Sequence, residues 1–496
     1  MKKFTSLLIA LFLTIISLQA QWMQIGQDID GEAPDDKSGW SVSLNSDGSI
    51  VAIGAPYNDG NGLGMGQVRI YGNINGNWMQ TGQDLNGEGN YDEFGTSLSL
   101  NSDGSVVAIG APNNDNTSGS YAGLVSIYKN TNGNWEQFGD SIIGKIPFEY
   151  SGSSVSLSSN GNIVAFGAPW NSGNGESAGT VRVYQYSGGT WNQIGEDING
   201  EAAFDYSGSS ISLSSDGSVV AIGAYANSGN GANAGQVRVY QNINGTWTQI
   251  GQDIDGEAQD DYSGWSVSLN SDGSVVAIGA MFNDGNGTDA GQVRVYKNIN
   301  GTWTQMGQDI DGEEAGDEAG RSVSLNSDGT IVAVGAPYSS SKGTESGQVR
   351  VFQYLDENWT QIGEEVNGEE EYNDFGKSVS LSSDGLIMAA GAPYNCGNGI
   401  NAGHVRVFEY LTTEICDFSK PEISIYPNPT NGPFQVVSPN SKIERIVILD
   451  ITGKILIEKM EPAAKEPFDL SELKKGVYFI RVQFNNMVIT SGIVKK

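Results

Sequence analysis

An all-β fold, a seven-bladed β-propeller closed by its own N-terminal strand, is predicted by three features of this 496-residue chain. Seven tryptophans, Trp22, Trp78, Trp135, Trp191, Trp247, Trp303 and Trp359, recur every 56 or 57 residues, and each opens the phrase Trp-x-Gln-x-Gly. Each interval holds four short β-rich runs and no amphipathic helical pattern. The array starts and stops on complementary strands. A period of this size marks stacking of one supersecondary unit that cannot bury its apolar faces alone, and four-stranded blades around an axis are the natural closure.

The first full repeat shows the elements in order. Strand A is Trp40-Ser41-Val42-Ser43-Leu44, and a turn at Asp47-Gly48 leads into strand B, which ends in Gly54-Ala55-Pro56. A Gly/Asn-rich loop precedes strand C, Gln67-Val68-Arg69-Ile70-Tyr71. Asn75-Gly76, a second hairpin signal, then leads to strand D at Trp78. The array begins on a D-type strand, 22–29, and ends on a C-type strand, 404–410. The first strand is therefore expected to complete the last blade and remove two exposed sheet edges.

Charges offer a second reading of the repeat. Arg69, Arg182, Arg238, Arg294 and Arg350 on strand C each precede an acid on strand D by 15 residues: Asp84, Asp197, Asp253, Asp309 and Glu365. One repeat carries Ser126 and Ser141 instead, so both members are lost together, as expected of cross-strand neighbours. Structural ion pairs are expected, and ring closure would place Arg406 against Asp28.

The ends of the chain differ from its middle. Residues 1–20 have the layout of a secretory signal peptide: Lys2 and Lys3, then an apolar run too short to span a bilayer, then Ala20 before the expected cut. No later stretch is a transmembrane candidate. The net charge of −32 falls almost wholly on the repeats, which argues against nucleic acid or anionic lipid as partners. With only Cys396 and Cys416, a disulfide framework is excluded. A single bridge would require the chain to fold back, and two unpaired thiols are the alternative.

Phe94-Gly95 leading to Gly110-Ala111-Pro112, and Phe375-Gly376 leading to Gly391-Ala392-Pro393, resemble FG-GAP repeats, the units of the integrin α-subunit propeller. The resemblance spans about residues 22–411. Many such repeats carry an Asp-x-Asp-x-Asp-Gly calcium loop between strands A and B, but here that place holds only Asn-Ser-Asp-Gly or Ser-Ser-Asp-Gly. One carboxylate falls short of the six to eight oxygens that calcium takes, so calcium is weakly supported and no other cofactor is expected. From about 422 onward, Tyr426-Pro427-Asn428-Pro429, Leu449-Asp450-Ile451-Thr452-Gly453-Lys454, Leu473-Lys474-Lys475-Gly476-Val477-Tyr478 and the Lys495-Lys496 end resemble the C-terminal sorting domain of type IX secretion cargo. That resemblance implies a small β-sandwich, handling by the type IX machinery, and release or attachment at the cell surface. The expected division is thus a propeller over 21–416, a linker at 417–421 and a sorting domain over 422–496.

Alternating strand directions put the B-to-C and D-to-A loops on one face, where function is expected. D-to-A loops carry acids such as Glu32, Asp36, Glu88, Asp92, Glu201, Asp205, Glu257, Asp261, Glu313 and Asp317. B-to-C loops carry the aromatics Tyr57, Trp170, Phe282, Tyr338 and Tyr394. The residue after the strand A glycine reads Trp40, Thr96, Ser153, Ser209, Trp265, Arg321 and Lys377 around the ring. Trp265, Arg321, Lys377 and Trp40 then form an aromatic and cationic arc at the channel mouth, suited to a carboxylate-bearing peptide or an acidic sugar. The apolar loop Ile142–Tyr150 reads either as a partner contact or as packing.

Catalysis finds little support. His404 stands where Gln67, Gln236, Gln292 and Gln348 stand elsewhere and reads as a strand residue; no metal-ligand spacing, phosphate loop or catalytic residue is assigned. The expectation is a monomeric, exported or surface-held module without enzyme activity. It would bind carbohydrate or protein at the long-loop face, plausibly in adhesion. The alternatives are a ligand-free surface-coat protein and a calcium-binding or glycan-active propeller.

Overall fold

The computed structural model describes residues 20–411 and, in the remainder, 424–438, 443–450, 454–460, 462, 465–484 and 487–496. The leader before Ala20, Cys416 and the linker at 417–421 lie outside the described residues. The chain divides into two compact units, one over residues 19–411 and one containing residues 412–496.

Seven antiparallel sheets make up the first unit. In blade 1, strand A is Ser41–Leu44, B is Ile50–Ala55 and C is Gln67–Ile74. Strand A alternates half-buried serines with buried Val42 and Leu44, whereas strand B is buried almost throughout, as suits a strand covered on both faces. Strand D is broken in two, Asn77–Gln80 and Leu85–Asn86, and both pieces pair with strand C. The intervening Thr81-Gly82-Gln83-Asp84 forms a bulge, a break that the tryptophan phrase did not disclose.

Blade 7 is composite. Its strands A, B and C are Ser378–Leu381, Ile387–Ala392 and His404–Leu411, and its outer strand comes from the chain's start, Gln21–Gln24 and Ile29–Asp30. Trp22 lies opposite Tyr410 and Ile29 opposite Val405. The predicted closure is present, and it leaves blade 7 with the same outer strand as its neighbours.

Four sets of hydrogen bonds pass between blades and close on themselves. Ser41 Oγ donates to Gly95 O at 2.7 Å, and the same bond recurs around the ring to Ser378 Oγ and Gly39 O at 2.8 Å. Ser43 Oγ accepts the Leu100 amide at 3.0 Å, with Ser380 and Leu44 completing that series. Ser46 N donates to Ser102 O at 2.9 Å, and successive turns repeat the bond until Ser383 N meets Ser46 O at 2.8 Å. Trp78 Nε1 reaches back to Ile25 O of the preceding blade at 2.9 Å, as Trp22 Nε1 reaches Ile362 O at 3.0 Å. These bonds explain why Ser-x-Ser-Leu and the tryptophan recur in every unit. They also explain the glycine of Gly-Ala-Pro: a Cβ on Gly110 would stand 2.0 Å from Gly152 O, the acceptor of Ser97.

The core lies between blades rather than within them. One cluster joins Val42, Leu44, Val51 and Ile53 of blade 1 to Val405 and Val407 of blade 7 and to Ile29. A single repeat therefore cannot bury its own apolar faces.

The second unit has a three-stranded sheet, Ser424–Tyr426, Pro433–Val437 and Lys465–Asp469, and a four-stranded sheet built on Arg445–Leu449 and Gly476–Phe484. Phe434, Val436 and Phe468 of the first pack with Ile446, Ile448, Ile480 and Val482 of the second, a β-sandwich core. Lys495 is buried, and its ammonium group donates to the carbonyls of Leu470, Ser471 and Leu473.

The strand-C arginines pair otherwise than expected. Arg69, Arg238, Arg294, Arg350 and Arg406 reach Glu32, Glu201, Glu257, Glu313 and Glu369 at 3.4–3.7 Å, glutamates that lie 37 residues earlier on the preceding D-to-A loop. The strand-D acid instead takes a hydrogen bond within its bulge, as Asp84 does from Gln80 Nε2 at 2.7 Å. Only Arg182 keeps the 15-residue partner, Asp197, at 2.9 Å, because Lys145 stands where its loop glutamate would be. Ser126 and Ser141 do touch, at 2.8 Å.

Deleting residues 21–31 should remove the outer strand of blade 7 and two bonds of the tryptophan series, Trp22 to Ile362 O and Trp78 to Ile25 O. The melting temperature, followed by circular dichroism, should fall far more than when residues 422–496 are trimmed. Equal losses would contradict the closure argument.

Candidate functional site

The long loops do share one face. The residue ending each B-to-C loop bridges the following D-to-A loop, as Gly66 bridges Phe94, Gly123 bridges Ser151 and Gly403 bridges Ser38. This contact sets loop tips of neighbouring blades side by side.

The acids of that face are structural rather than merely solvated. Glu32, Glu201, Glu257 and Glu313 bind the arginines described above, whereas Glu88 faces a blade whose strand C carries Ser126 in place of the arginine. The aspartates are buried and cap their own loops: Asp36 accepts the Ala33 amide at 2.8 Å, and Asp92 accepts the Gly89 amide and Asn114 Nδ2, both at 2.8 Å. Burial raises the carboxyls of Asp36, Asp92 and Asp317 despite these bonds. In blade 3 the arrangement changes: fully buried Glu149 binds Arg182 with both oxygens at 2.8 and 2.9 Å, while Lys145 turns to Asp197 at 2.8 Å. Burial alone would raise Glu149, but the bonds and charge of Arg182 hold it below its ordinary range.

At the channel mouth, Trp40, Thr96, Ser153, Ser209, Trp265, Arg321 and Lys377 line one cavity of about 350 Å³ together with Tyr225. All seven positions singled out in the sequence meet there. The Arg321 guanidinium lies 5.4 Å from the ring centres of both Trp265 and Tyr338 and bonds Glu318 at 2.5 Å. Lys377 lies 5.0 Å from the Trp40 ring, and its ammonium group makes no ion pair or hydrogen bond among the described residues. Burial and the charge of Arg321 push Lys377 down to about 8, while burial pushes neighbouring Asp374 up to about 6. Tyr57 and Tyr394 face Lys37 instead, at 4.2 and 5.0 Å.

Trp170 and Phe282 belong to a larger feature. Ring centres follow one another from Tyr121 to Tyr150 at 5.5 Å, Tyr150 to Trp170 at 5.8 Å, Trp170 to Tyr206 at 5.0 Å and Tyr206 to Tyr225 at 5.4 Å. Tyr225 then reaches Trp265 at 4.9 Å and Tyr262 at 5.7 Å, and Tyr262 reaches Phe282 at 5.3 Å. Tyr121 and Trp170 are exposed and the other rings from Tyr150 to Phe282 half-buried. Sequence reasoning missed Tyr206 and Tyr262 and reached Tyr150 only as the end of the apolar loop, although their shared position, reading Lys37, Glu93, Tyr150, Tyr206, Tyr262, Glu318 and Asp374, displays three tyrosines in a row. All seven hold φ of 50–55°, a left-handed conformation that bulky side chains adopt at a cost. The apolar loop at 142–150 joins the same feature: Ile142 is buried, while exposed Phe148 stacks on Tyr121 at 5.8 Å.

Cys396 is a free, exposed thiol. No described helix is long and apolar enough to cross a membrane.

Residues 424–496 match the family model of the secretion system C-terminal sorting domain. That domain marks proteins exported by type IX secretion to the cell surface or extracellular space, and this chain is exported by that route. No curated protein sequence matches the chain. Among solved structures, the periplasmic gluconolactonase of Pseudomonas aeruginosa is similar at 16% identity and a TM-score of 0.46, covering 67% of this chain and 85% of its own. A putative 6-phosphogluconolactonase from Bacteroides uniformis is similar at 11% identity and a TM-score of 0.45, covering 67% and 86%.

Replacing Glu149 by Gln strips a buried arginine of its principal partner, which should cost about 3 kcal/mol or more in chemical denaturation. Replacing half-exposed Glu201 by Gln should cost under ~1 kcal/mol. Because the folded Glu149 titrates below its ordinary 4.5, the stability it adds is complete above that pH and disappears as pH falls through the folded value. The difference between wild type and Glu149→Gln should therefore shrink in acid.

Proposed function

We propose that this exported propeller is a binding module, without enzyme activity, for an extended carbohydrate. A carboxylate-bearing sugar would occupy the channel mouth against Lys377 and Arg321, and neighbouring sugars would lie on the rings from Trp265 through Tyr225, Tyr206 and Trp170 to Tyr121. The observation that carries this reading is the unbroken run of aromatic rings from Tyr121 to Trp265 that ends at Arg321, with Lys377, free of any ion pair or hydrogen bond among the described residues, lining the same cavity.

The repeats serve as their own control. Blades that bear Lys37, Glu93, Glu318 or Asp374 at the inner loop position pack as well as those bearing Tyr150, Tyr206 or Tyr262, so blade packing does not demand a tyrosine there. Three aromatic residues held at positive φ in consecutive blades favour a ligand role. Flat, partly exposed tyrosine and tryptophan faces offer contact area with little rotamer entropy to lose, and their polar edges remain wet. The cavity is of the size that takes a small ligand.

The strongly negative chain still suits an anion at this spot. Charges farther than a Debye length, about 8 Å at physiological salt, are screened, so the mouth responds chiefly to Lys37, Arg321 and Lys377 and to the acids Glu93, Glu318 and Asp374. Burial raises all three of those carboxyls, which reduces their opposition to an incoming anion. The resemblance to FG-GAP units accords with this reading and extends it to adhesion at the cell surface, where export delivers the protein.

Titration calorimetry and a glycan array using the full chain, with acidic and neutral polysaccharides, test the reading. Arg321→Ala combined with Lys377→Ala should abolish preference for acidic chains, and Trp170→Ala or Tyr206→Ala should each weaken binding roughly two- to tenfold. Affinity for an acidic chain should rise as pH falls from neutrality towards about 6, where Asp374 neutralises, and decline above about 8, where Lys377 loses its proton. Binding indifferent to all four substitutions would remove the mouth and the rings from the account.

A further inference from the structure

The seam where the ring closes contains a cluster that no other blade has. Strand C of blades 1, 5 and 6 opens with Gln67, Gln292 and Gln348, whose amides donate to the loop glutamates Glu32, Glu257 and Glu313 at 3.1–3.3 Å. Blade 7 has His404 there. Its imidazole is 1% exposed, its Nε2 has no hydrogen-bond partner, and its Nδ1 is 3.9 Å from Asp28 Oδ2, beyond hydrogen-bond reach. The unpaired, buried Nε2 is costly, and Nδ1 points at the Asp28 carboxylate without bonding it.

Asp28, Glu369 and His404 each offer one donor atom, and these atoms lie within 4.8 Å of one another. Asp28 Oδ1 is held by Gln24 Nε2 at 2.6 Å, which leaves Oδ2 turned to the imidazole. Arg406 orients the third group, with Nη1 3.5 Å from Glu369 Oε1 and Nη2 donating to Asn367 O at 2.6 Å.

We propose that Asp28, Glu369 and His404 bind a first-row divalent cation, Zn²⁺ above all, which fastens the N-terminal strand to blade 7. Ligand bonds of about 2.0–2.2 Å around a tetrahedral ion place donor atoms roughly 3.4 Å apart, so the imidazole and Asp28 must close by about 0.5 Å and the widest pair of the cluster, at most 4.8 Å apart, by up to about 1.4 Å. One imidazole with two carboxylates favours zinc or a neighbouring transition metal over calcium or magnesium, which prefer oxygen alone. Water would complete the shell. The three ligands come from the bulge between the two pieces of the N-terminal outer strand, the last strand C and the loop between blades 6 and 7, so the ion would cross-link the two ends of the propeller and stabilise the closed form by mass action.

The test uses the full chain, stripped of metal by a chelator and titrated with Zn²⁺ in a calorimeter, with thermal melts before and after. His404→Gln installs the side chain that other blades already accommodate. The wild type should take one saturable equivalent of Zn²⁺ with a rise in melting temperature, and the Co²⁺-loaded protein should show a visible ligand-field spectrum. His404→Gln should lose all three responses. Should that variant melt lower without metal, Asp28→Asn, which keeps the imidazole, makes the same comparison and should weaken binding at least about tenfold. Absence of a saturable equivalent in the wild type, or an equal response in both variants, would overturn the proposal.

Discussion

Every blade of this propeller satisfies its innermost polar groups only through its neighbours. Ser41 and Ser43 engage the following blade while Trp78 reaches back to the preceding one, so each unit donates in both directions. An open array would leave buried donors and acceptors at its two ends, each costing about 1–3 kcal/mol when desolvated without a partner. A closed ring has no such ends. The interblade apolar clusters act in the same sense, since Val51 and Ile53 of blade 1 are covered by Val405 and Val407 of blade 7. Closure through a strand from the opposite end of the chain follows from these demands.

The recurring features were legible because one environment, repeated around an axis, imposes one residue. Serines of strand A, the Gly-Ala-Pro glycine and the tryptophan each answer to a bond seen in blade after blade. The arginine pairing was harder to read because two acids recur at the same period, one 15 residues ahead and one 37 behind. Sequence spacing cannot choose between them; geometry does, by sending the guanidinium back to the preceding D-to-A loop. Joint loss of Arg and acid at Ser126 and Ser141 did report true proximity, yet proximity led to an ion pair only where Lys145 removed the competing glutamate.

The mouth was legible for a different reason. Strand A positions face the axis whatever they carry, so Trp40, Trp265, Arg321 and Lys377 could be placed there from the repeat alone. The aromatic run could not. Tyr150 and Tyr206 sit on D-to-A loops and Trp170 on a B-to-C loop, and their contact depends on how far the loop tips of adjacent blades lean together. That lean is set by bridges such as Gly123 to Ser151, which no periodic pattern announces.

A ring of near-identical units separates two kinds of residue with unusual clarity. Positions that recur in all seven are bound to closure, and a change there disturbs both neighbours. Positions that differ from blade to blade are free of that duty, so their identity must be explained by what faces them. At the mouth the ring is lopsided: small Thr96, Ser153 and Ser209 on one side, and indoles with two cations on the other. The inner loop position is lopsided too, with three tyrosines in succession at a backbone conformation that a smaller polar residue would adopt at less cost. Neither asymmetry serves the seven-fold packing. His404 belongs to the same class, one irregular residue among glutamines, and it stands at the only seam where the chain must find its own beginning. Repetition in this molecule builds the frame, and the departures from it set single blades apart.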